Sequence, residues 1–400
     1  MRTSCNICGS KKLEQVIDLG LHPLADTFWS TNSMPEDYSL VPLIVNRCLH
    51  CNHLMTKFEV SAKMRYQGEP YSYTSGNSTS AINHFHTFAK QVMQVCDLKN
   101  PSVLDIGGND GTFLQGFKKL GVYHLTNVEP SENISVISQN RGFNTVNNFF
   151  TKKVVKDYNL ASEIIISANV LNHVDDLNEL MIAVDMCLSN DGVFVFQVPY
   201  APSLIDHCYF ETIYHEHTNY FSAASINKLL SQHGFVVQMA EINEYMCDSL
   251  RIYCQRGTNS HCPHFQKLIS DEITKGHYHE EKYLSFADQA KSIRHSLRNE
   301  ISRIRIGGKN IIGICAATKA NTLLNYCGFT RDDFDCVADT SVLKAGKLMP
   351  GSLIPIVNED AVNFDNFDYM IVLAENFVKT LHNQLKEHSC EQLRIRNNVN

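Results

Sequence analysis

The chain has 400 residues, of which 44% are hydrophobic and 10% aromatic, so it can bury sizeable cores but is too long for one ordinary domain. A formal charge of −7 and the lack of a long Lys/Arg run argue against a protein that holds nucleic acid through phosphate contacts. The N-terminus lacks the apolar segment of a signal peptide, and no run of about 18 apolar residues exists, so we expect no membrane span and a cytoplasmic location.

The first part of the chain is rich in Cys, Pro and turn formers and contains two Cys-x-x-Cys motifs. Cys5 and Cys8 form the first motif, and Cys48 and Cys51 form the second. Four thiolates at this spacing complete a closed tetrahedral shell, which predicts structural zinc because no position is left for a substrate. A thioredoxin-like redox role is the alternative, but neither motif opens a helix after a predicted strand. The other cysteines are expected to be buried thiols in a reducing compartment.

Residues 79–97 have the spacing of an amphipathic helix, and strands alternate with helices after it. The helix would bury one apolar face, made of Ile82, Phe85, Phe88, Ala89, Val92 and Met93. Short apolar runs predict strands at 102–106, 125–129, 163–168 and 193–198. Such alternation predicts a parallel sheet that is covered on both faces. Two later runs, at 236–239 and 250–254, could add an antiparallel edge.

Two further parts follow the predicted sheet. Residues 258–305 are polar and rich in helix formers, so we expect one or two helices that bridge domains. Their basic residues are Lys291, Arg294, Arg298, Arg303 and Arg305. We interpret these residues as a solvated helix face rather than a binding surface. The chain then repeats a nucleotide-fold pattern, with strands at 309–315, 335–339 and 369–373 and a small-residue turn at 316–321.

The most informative turn lies between the first two strands of the predicted sheet. The segment Asp105-Ile-Gly-Gly-Asn-Asp-Gly-Thr112 predicts a strand end, a glycine turn and the start of a helix, and Glu129 ends the next strand. A glycine turn lets a cofactor lie against bare backbone, and an acid about twenty residues on can accept both hydroxyls of a ribose. The pattern predicts a cofactor that contains a nucleoside; a tight turn without a ligand is the alternative.

Two features of this turn favour S-adenosylmethionine over NAD. The glycine spacing is not Gly-x-Gly-x-x-Gly, and Asp110 would repel a pyrophosphate but could hold an ammonium group. We therefore expect the turn to line the methionine end of the cofactor, Glu129 to hold the ribose, and adenine contacts to follow the third strand. The predicted cofactor-binding residues are Asp105, Gly107, Asn109, Asp110, Gly111, Glu129, Asn148 and Phe149.

Candidate catalytic residues follow the fourth strand and a later Phe/Tyr-rich run. Asn169 and His173 come at a strand end, which faces the ligand crevice in such sheets, and they would share a face if the segment is helical. The cluster Tyr214-His-Glu-His217 is the densest in ionisable groups. His215 and His217 would share a face in an extended segment, so a metal pair is possible. We favour acid–base chemistry, in which a histidine oriented by a carboxylate removes a proton next to a ketone; a purely structural role is the alternative.

Taken in order, these motifs resemble one family. The chain resembles the sugar C-methyltransferases that act on nucleotide-linked keto-deoxysugars, and the match covers nearly its whole length. Besides the four cysteines, the motifs that carry the resemblance are Asp18-Leu-Gly-Leu-His-Pro-Leu-Ala-Asp26, Tyr71-Ser-Tyr-Thr-Ser-Gly76, Asp105-Ile-Gly-Gly-Asn-Asp-Gly-Thr112, Glu129-Pro-Ser131, Asn169-Val-Leu-Asn-His173, Tyr214-His-Glu-His217, Tyr220-Phe-Ser222, Ser249-Leu-Arg251, Ala316-Ala-Thr-Lys-Ala-Asn-Thr322 and Pro350-Gly-Ser-Leu-Ile-Pro355. No single motif is decisive, but their order is specific.

The resemblance implies an α/β protein with three domains. A small zinc-binding domain would cover residues 1–65, and a class I methyltransferase Rossmann-like sheet that binds S-adenosylmethionine would cover 66–257. A helical linker at 258–305 would lead to a C-terminal Rossmann-like domain at 306–400, which would help to hold the nucleotide-sugar.

The resemblance also implies roles in methylation of the carbon next to the sugar ketone. His217 would be the base that removes the proton, while Tyr73 and Tyr214 would hydrogen-bond the sugar and its developing enolate. The enolate carbon would then take the methyl group of the cofactor, a step that needs only alignment. The remaining residues of the pocket would be Glu216, Asn169 and His173.

Other functions stay open on the same scaffold. One is methylation of oxygen or of a non-sugar substrate, and another is a non-catalytic, zinc-bearing interaction protein. The sequence leaves open which sugar, nucleotide and carbon are involved, the stereochemistry, and whether the protein is a monomer or a dimer.

The sequence departs from the pattern of the family in three places. Residues 245–248 lack the usual glycine, and Cys315 replaces a common glycine. Residues 385–400 are polar and lack the apolar final strand that we expect. The last two departures concern the predicted nucleotide-sugar site rather than the methyl-donor site.

Overall fold

The computed structural model describes residues 1–30, 39–67, 71, 73–258, 262–375, 378 and 390–396. Residue 72 of the predicted tyrosine motif lies outside the described residues, as do 385–389 and 397–400 of the polar C-terminus. The described residues form sheets of four, seven and five strands and a two-stranded ribbon. None of the helices described here combines the length and apolar character needed to cross a bilayer.

The strands and helices are numbered in chain order. The strands are β1 (Leu13–His22), β2 (Trp29–Ser30), β3 (Val41–Cys48), β4 (Leu54–Thr56), β5 (Val103–Ile106), β6 (Leu125–Val128), β7 (Asn144–Val146), β8 (Ser162–Ala168), β9 (Leu188–Pro199), β10 (Asn219–Tyr220), β11 (Phe235–Asn243), β12 (Ser249–Arg256), β13 (Ile311–Ile314), β14 (Cys336–Asp339), β15 (Lys347–Leu348), β16 (Ile356–Asn358), β17 (Tyr369–Val372) and β18 (Glu391–Leu393). The helices are α1 (Ala62–Gln67), α2 (Thr79–Cys96), α3 (Thr112–Lys119), α4 (Glu132–Asn140), α5 (Lys152–Asp157), α6 (Leu177–Cys187), α7 (Ala201–Asp206), α8 (Ala223–Gln232), α9 (Pro263–Thr274), α10 (Glu280–Ile306) and α11 (Thr318–Cys327). Single turns of 3₁₀ helix lie at Ser75–Asn77, Leu171–His173, Phe210–Thr212, Glu359–Ala361 and Phe364–Asn366.

The central sheet has the order β11-β12-β9-β8-β5-β6-β7. Its strands from β9 to β7 are parallel, and β12 is antiparallel to both β9 and β11. Every residue of β5 is buried, as expected for a strand that is covered on both faces. This is the order of a class I methyltransferase sheet, so the predicted fold class and the antiparallel edge are confirmed.

The predicted amphipathic helix is α2, which covers one face of the central sheet. Its buried stripe includes Phe85, Phe88 and Val92, spaced three and four residues apart. The Ser78 side chain caps the first turn by accepting a hydrogen bond from the backbone N–H of Ala81. The helix packs closely on α3, because a Cβ atom at Gly116 would lie 2.9 Å from Cβ of Ala89. This packing fixes where α3, which starts at the glycine turn, meets the sheet.

The C-terminal sheet is parallel throughout, with the order β16-β14-β13-β17-β18. Here the expectation that the final strand is missing is wrong, because β18 pairs with β17. The strand is short and lies at the edge, and Leu393 is its one buried residue. An edge strand forms hydrogen bonds with one neighbouring strand only. Backbone pairing and a single apolar contact therefore suffice here, in place of the longer apolar run that the family pattern predicts.

The three sheets are joined by strands and helices that cross between them. The N-terminal sheet has the order β1-β3-β4-β10, and its last strand, β10, comes from the chain after the central parallel strands. In the same way β2, from the N-terminal part, pairs with β15 of the C-terminal part. The helices predicted at 258–305 are α9 and α10. Arg298 of α10 donates to the carbonyl of Cys327 and Arg305 pairs with Asp335, so the basic stripe is partly a contact with the C-terminal part rather than a solvated face.

Candidate active site

The glycine turn after β5 brings bare backbone to the carboxyl end of the sheet. Gly107 has a φ of +64°, and a Cβ atom there would lie 2.7 Å from a methyl group of Val170. A Cβ atom at Gly108 would lie 2.5 Å from Oδ1 of Asn127. Neither position can carry a side chain without a shift of its neighbours, because Val170 and Asn127 pack directly against the backbone of the turn.

Glu129, directly after β6, holds the turn from the next strand. Its Oε2 atom accepts the backbone N–H of Asn109 at 3.0 Å, and its Oε1 atom accepts that of Ser131 at 2.8 Å. The residue is 5% exposed, and burial raises its pKa although the two N–H groups oppose the rise. Each carboxylate oxygen keeps a second acceptor position, which a ribose hydroxyl could use.

Asp105 supplies the clearest observation that the crevice fits a cation-bearing cofactor. Its Oδ2 atom is buried and has no hydrogen-bond partner among the described residues. Burial, with Glu129 nearby, raises the pKa of Asp105 well above its usual value. An unpartnered buried acceptor is costly, and an ammonium group such as that of S-adenosylmethionine would satisfy it. Asn169, beside the crevice at the end of β8, also has a buried Oδ1 atom without a partner in the described part of the chain.

Asp110 lies in the predicted turn, but its carboxylate is occupied by the protein. It accepts hydrogen bonds from the backbone N–H of Gly76 and from the hydroxyl of Thr112, and it forms an ion pair with Arg141 at 3.2 Å. The residue is 1% exposed. These contacts fasten the tyrosine loop to the start of α3, so the carboxylate is placed to hold that loop rather than to meet an ammonium group. Its contact with the cofactor stays a prediction.

The remaining cofactor residues surround the same crevice. Asn109 accepts the backbone N–H of Ser75 and so also holds the tyrosine loop. Gly111, with a φ of +81°, is the cap residue of α3. Asn148 and Phe149 follow β7, one strand beyond Glu129, where an adenine ring could lie. Their contact with adenine also stays a prediction.

The segment 214–217 forms a turn that presents a paired tyrosine and histidine. The Tyr214 hydroxyl lies 2.5 Å from Nε2 of His217, and the two rings are 3.9 Å apart. The Nδ1 atom of His217 lies 2.9 Å from the backbone oxygen of Thr212. Since a carbonyl only accepts, Nδ1 carries the hydrogen and Nε2 is left as the basic atom, which accepts from Tyr214.

The environment of His217 keeps its imidazole neutral. Burial is the main cause that holds the pKa of His217 well below 6.5, and His173, whose ring centroid is 4.8 Å away, adds to the effect. The Thr212 carbonyl opposes the shift, and Lys319 adds a smaller lowering. A neutral imidazole in a dry site is the form that can accept a proton.

Two expectations about this turn are wrong. The expectation that His215 and His217 share a face depends on an extended segment. The backbone N–H of His217 instead donates to the carbonyl of Tyr214 and closes a turn, so the two histidines do not share a face. His215 is buried beside the backbone of Val41 and Pro42, in the N-terminal part. The orienting partner of His217 is the Thr212 carbonyl instead of a carboxylate.

Glu216 lies beside a second buried acid that the sequence did not single out. Burial raises the pKa of Glu216 to about 7, and the carboxylate of Asp26 adds to the rise. The Oε2 atom of Glu216 is buried and has no hydrogen-bond partner among the described residues. The charge of Asp26 also raises the pKa values of Tyr71 and Tyr214, as smaller contributions beside burial.

Asn169 and His173 do not lie on one α-helical face. Asn169 has a φ of +58° and precedes the single 3₁₀ turn that ends at His173. The Tyr66 hydroxyl lies 2.7 Å from Nδ1 of His173, and burial lowers the pKa of His173 to about 3. The fully buried guanidinium of Arg65 donates to the carbonyl of His173 and pairs with Asp175, which fixes this loop against α1.

The tyrosine loop places its two tyrosines differently from the prediction. Tyr73 is 40% exposed and its ring lies beside Tyr245, at the edge of the cofactor turn. Tyr71 lies among Tyr66, Tyr214 and Glu129. Tyr71 thus contacts the ring of Tyr66, the residue that reaches His173, whereas the sequence pattern points to Tyr73. Asp26, Tyr71 and Lys319 all lie within the motifs of the resemblance, which was the signal that could have found them.

The four cysteines of the N-terminal part form the predicted metal centre. Sγ of Cys5 lies 3.6 Å from Sγ of Cys51, and Sγ of Cys8 lies 3.6 Å from that of Cys48. All four sulfur atoms lie within 4.8 Å of one another. Tetrahedral zinc at about 2.3 Å from each sulfur needs sulfur atoms about 3.8 Å apart, so the residues fit the ion.

One asparagine connects this metal centre to the loop that carries His173. Asn6, inside the first cysteine motif, donates to Oδ1 of Asn219 at 2.5 Å, and Nε2 of His53 lies 3.1 Å from the same oxygen. The amide of Asn219 donates in turn to the carbonyls of Leu171 and Val174, on either side of His173. Asn219 is 1% exposed, so this is a buried link between the zinc motif and the active-site loop.

Comparison with known proteins agrees with this geometry. A family model described as a methyltransferase domain matches residues 81–239, which hold the glycine turn and most of the central sheet. The sheet, the turn and this match define the chain as an S-adenosylmethionine-dependent methyltransferase. Models for a zinc binding domain and for a C-methyltransferase C-terminal domain match residues 5–66 and 247–394. These three matches follow one another along the chain as a zinc binding domain, a methyltransferase domain and a C-methyltransferase C-terminal domain, and S-adenosylmethionine and zinc are the cofactors of the protein.

One curated relative matches over nearly its full length. The chain is 28% identical over 396 residues to the C-methyltransferase NovU of Streptomyces niveus, which covers 96% of this chain and 92% of that protein. Solved structures match less well. An S-adenosylmethionine-dependent methyltransferase from Clostridium acetobutylicum is 12% identical, with a TM-score of 0.36 over 44% of this chain and 92% of that one. The glycopeptide N-methyltransferase MtfA in complex with S-adenosyl-L-methionine is also 12% identical, with a TM-score of 0.36 over 43% and 93%. The TM-scores and sequence identities of these two structures are too low to support a conclusion about this chain.

Proposed function

We propose that this C-methyltransferase acts on a nucleotide-linked keto-deoxysugar and methylates the carbon next to its ketone through an enolate. The observation that carries the proposal is the neutral, oriented imidazole of His217 beside the Tyr214 hydroxyl. A carbon acid needs a base close to a carbonyl-binding donor, and this pair supplies both. The resemblance to sugar C-methyltransferases supports the class of substrate.

The chain's own groups suffice for the proton transfer. The Tyr214 hydroxyl donates a hydrogen bond to Nε2 of His217. A ketone oxygen entering the space beside Tyr71 and Glu216 would take over the Tyr214 hydrogen bond and so free Nε2. Nε2 then removes the proton alpha to the ketone, while Tyr214 donates to the oxygen on which charge develops. The Thr212 carbonyl stabilises the imidazolium that forms, because it accepts from Nδ1.

The crevice residues would position the methyl donor. Glu129 would hold the ribose hydroxyls and Asp105 the ammonium group, with Gly107 giving access to the backbone. Bound there, S-adenosylmethionine supplies a methyl group on a positively charged sulfur, which a carbanion can take without a further catalyst. Zinc is structural in this proposal, because four thiolates leave it no open position.

A labelled-methyl assay tests the proposal. The protein is incubated with methyl-labelled S-adenosylmethionine and a panel of nucleoside-diphosphate keto-deoxysugars that carry deuterium next to the ketone. We expect a methylated product in which one deuterium is lost, seen by mass spectrometry. A product that keeps all its deuterium would indicate methylation of oxygen. No product with any keto-sugar of the panel would contradict the class of substrate.

A further inference from the structure

Helix α11 is the element of the C-terminal part that reaches the catalytic turn. The Thr322 hydroxyl donates a hydrogen bond of 2.7 Å to the carbonyl of Ile213, the residue before Tyr214. The Asn321 amide donates to the carbonyl of Ala25, the residue before Asp26. Both side chains are 1% exposed. The helix therefore fixes two segments of the active site that come from distant parts of the chain.

Lys319 extends from the first turn of α11 toward the same place. It precedes Thr322 by three residues, so the two side chains share a face of the helix. The residue is 8% exposed, and its Nζ atom lies 3.9 Å from Sγ of Cys247. Cys247 lies in the turn between β11 and β12, which is fixed to the carboxyl end of β9 because the backbone N–H of Tyr200 donates to the carbonyl of Asp248. The ammonium group thus lies on the crevice side of the central sheet.

We propose that Lys319 is a catalytic residue, contributed by the C-terminal part, whose ammonium group stabilises the negative charge on the ketone oxygen as the enolate forms. This inference rests on the proposed function. In the step concerned the C–H bond breaks, its proton goes to Nε2 of His217, and its electron pair becomes the new C=C bond. The electron pair of the C=O π bond then moves onto the oxygen, where Tyr214 donates a hydrogen bond and Lys319 supplies the balancing charge.

The position of the lysine relative to the base decides whether it helps. Proton transfer creates an imidazolium as well as an enolate. A nearby cation stabilises the negatively charged enolate but destabilises the positively charged imidazolium. Lys319 therefore accelerates the step only if it lies nearer to the ketone oxygen than to the imidazole. Its effect on the pKa of His217 is weaker than the effects of burial, of His173 and of the Thr212 carbonyl.

The test separates proton removal from methyl transfer. S-adenosylhomocysteine is bound in place of the methyl donor, and the keto-sugar with the highest turnover in the panel is followed by mass spectrometry as its alpha deuterium exchanges with water. We expect Lys319→Met to slow both the exchange and kcat by about 100-fold, the scale of losing one oxyanion-stabilising group, with KM changed less than about threefold. Lys319→Arg, which keeps the charge, should recover part of the rate. Lys309→Met, at an exposed lysine of the same part of the chain, is the control for loss of charge.

The outcomes distinguish this inference from the function on which it rests. A normal rate of deuterium exchange in Lys319→Met would overturn the assignment. A raised KM with unchanged kcat would also overturn it, because the lysine would then bind a charge of the ground-state substrate, such as the diphosphate. A wild-type protein that exchanges no deuterium would contradict the proposed function instead. Removing the cation should also raise the pKa of His217, so the acid limb of the kcat/KM profile should move to higher pH in Lys319→Met and Lys319→Gln. Folding of each variant is checked by its affinity for S-adenosylmethionine.

Discussion

The central and C-terminal sheets contain the same arrangement of an acid and a turn, yet the two turns differ in what surrounds the acid. In each sheet an acid at the end of the second strand accepts two backbone N–H groups. Glu129 holds Asn109 of the turn and Ser131, at 3.0 and 2.8 Å. Asp339 holds Ala316 of its own turn and Ser341, at 2.7 and 2.8 Å. The acid therefore serves first to organise the turn, and its presence alone does not identify a cofactor site.

The two turns differ in what surrounds the acid. In the central sheet Gly107 carries no side chain, and Asp105 has a buried oxygen with no partner among the described residues. In the C-terminal sheet Cys315 carries its side chain at a φ of +73°, and Nζ of Lys344 donates to the carbonyl of Ala316 at 2.8 Å. The second turn is thus partly filled and satisfied by the protein itself. The glycine and the unsatisfied acid, rather than topology, distinguish the first turn from the second.

The largest effect should come from removing His217, the proposed base. His217→Asn should keep its affinity for S-adenosylmethionine and lose about 10²–10⁴-fold in kcat, the range for loss of a general base. Turnover of the panel keto-sugar gives the rate, and calorimetry gives the affinity. His215→Asn, which removes a buried histidine of the same turn on the N-terminal side, should keep a kcat near that of the wild type. Near-normal turnover in His217→Asn would exclude this residue as the base.

Glu216, in the turn at 214–217, should lower the stability of the protein as the pH rises toward 8. Folding raises the pKa of Glu216 from 4.5 to about 7, so its stabilising effect is present below pH 4.5 and is lost as the pH rises through 7. Glu216→Gln should therefore gain up to about 3 kcal/mol relative to the wild type between pH 4.5 and pH 8, because a glutamine does not ionise. Urea unfolding of both proteins at the two pH values measures the gain. A difference that does not depend on pH would show that Glu216 is not held in its neutral form.

Matched alanine substitutions compare the two acids directly. Glu129→Ala should weaken the binding of S-adenosylmethionine by about 1–3 kcal/mol, since a charged acceptor of the ribose is lost. Asp339→Ala removes the same pair of backbone contacts from the other turn and should lower stability without changing this affinity. Calorimetry and thermal unfolding of both variants give the two quantities. Equal losses of affinity would mean that both acids act only by supporting the fold.

The smallest effect is expected from making the second turn resemble the first. Cys315→Gly should raise the free energy of unfolding by about 1 kcal/mol, because a residue other than glycine in the left-handed region is strained. Asn159→Gly is the control, since asparagine tolerates that region and the gain should be smaller. Urea unfolding measures both changes. A destabilised Cys315→Gly protein would show that packing of the thiol outweighs the strain.

Much of the fold could be predicted because its signals are local. The helix α2, the strands of the central sheet and the hairpin of β11 and β12 each follow from the period of a short segment. The loop at 245–248, which lacks the usual glycine, also keeps a glycine-like conformation. Met246, Cys247 and Asp248 have φ angles of 57°, 64° and 67°. The backbone path is therefore retained with residues that fit it less well.

The groups that meet across the active site could not be predicted in the same way. Tyr66 reaches His173 and Asp26 reaches Glu216 only because separate sheets pack against one another. Such contacts leave no periodic pattern of apolar residues in the sequence. The alternation of His215 and His217 misled the prediction, since a hydrogen bond within the turn overrides the extended conformation on which the alternation depends. The very short strand β18 carries too few apolar residues to give a pattern.

The buried amide of Asn219 makes the metal supply relevant to the chemistry. It connects Asn6, between two of the cysteines, with the carbonyls on either side of His173. A chain that folds in a zinc-starved cell would keep the crevice built by β5 and β6 but lose the anchor of the neighbouring loop. Such a protein should still take up the methyl donor while transferring methyl groups poorly, so its specific activity would report how much zinc was present during its synthesis.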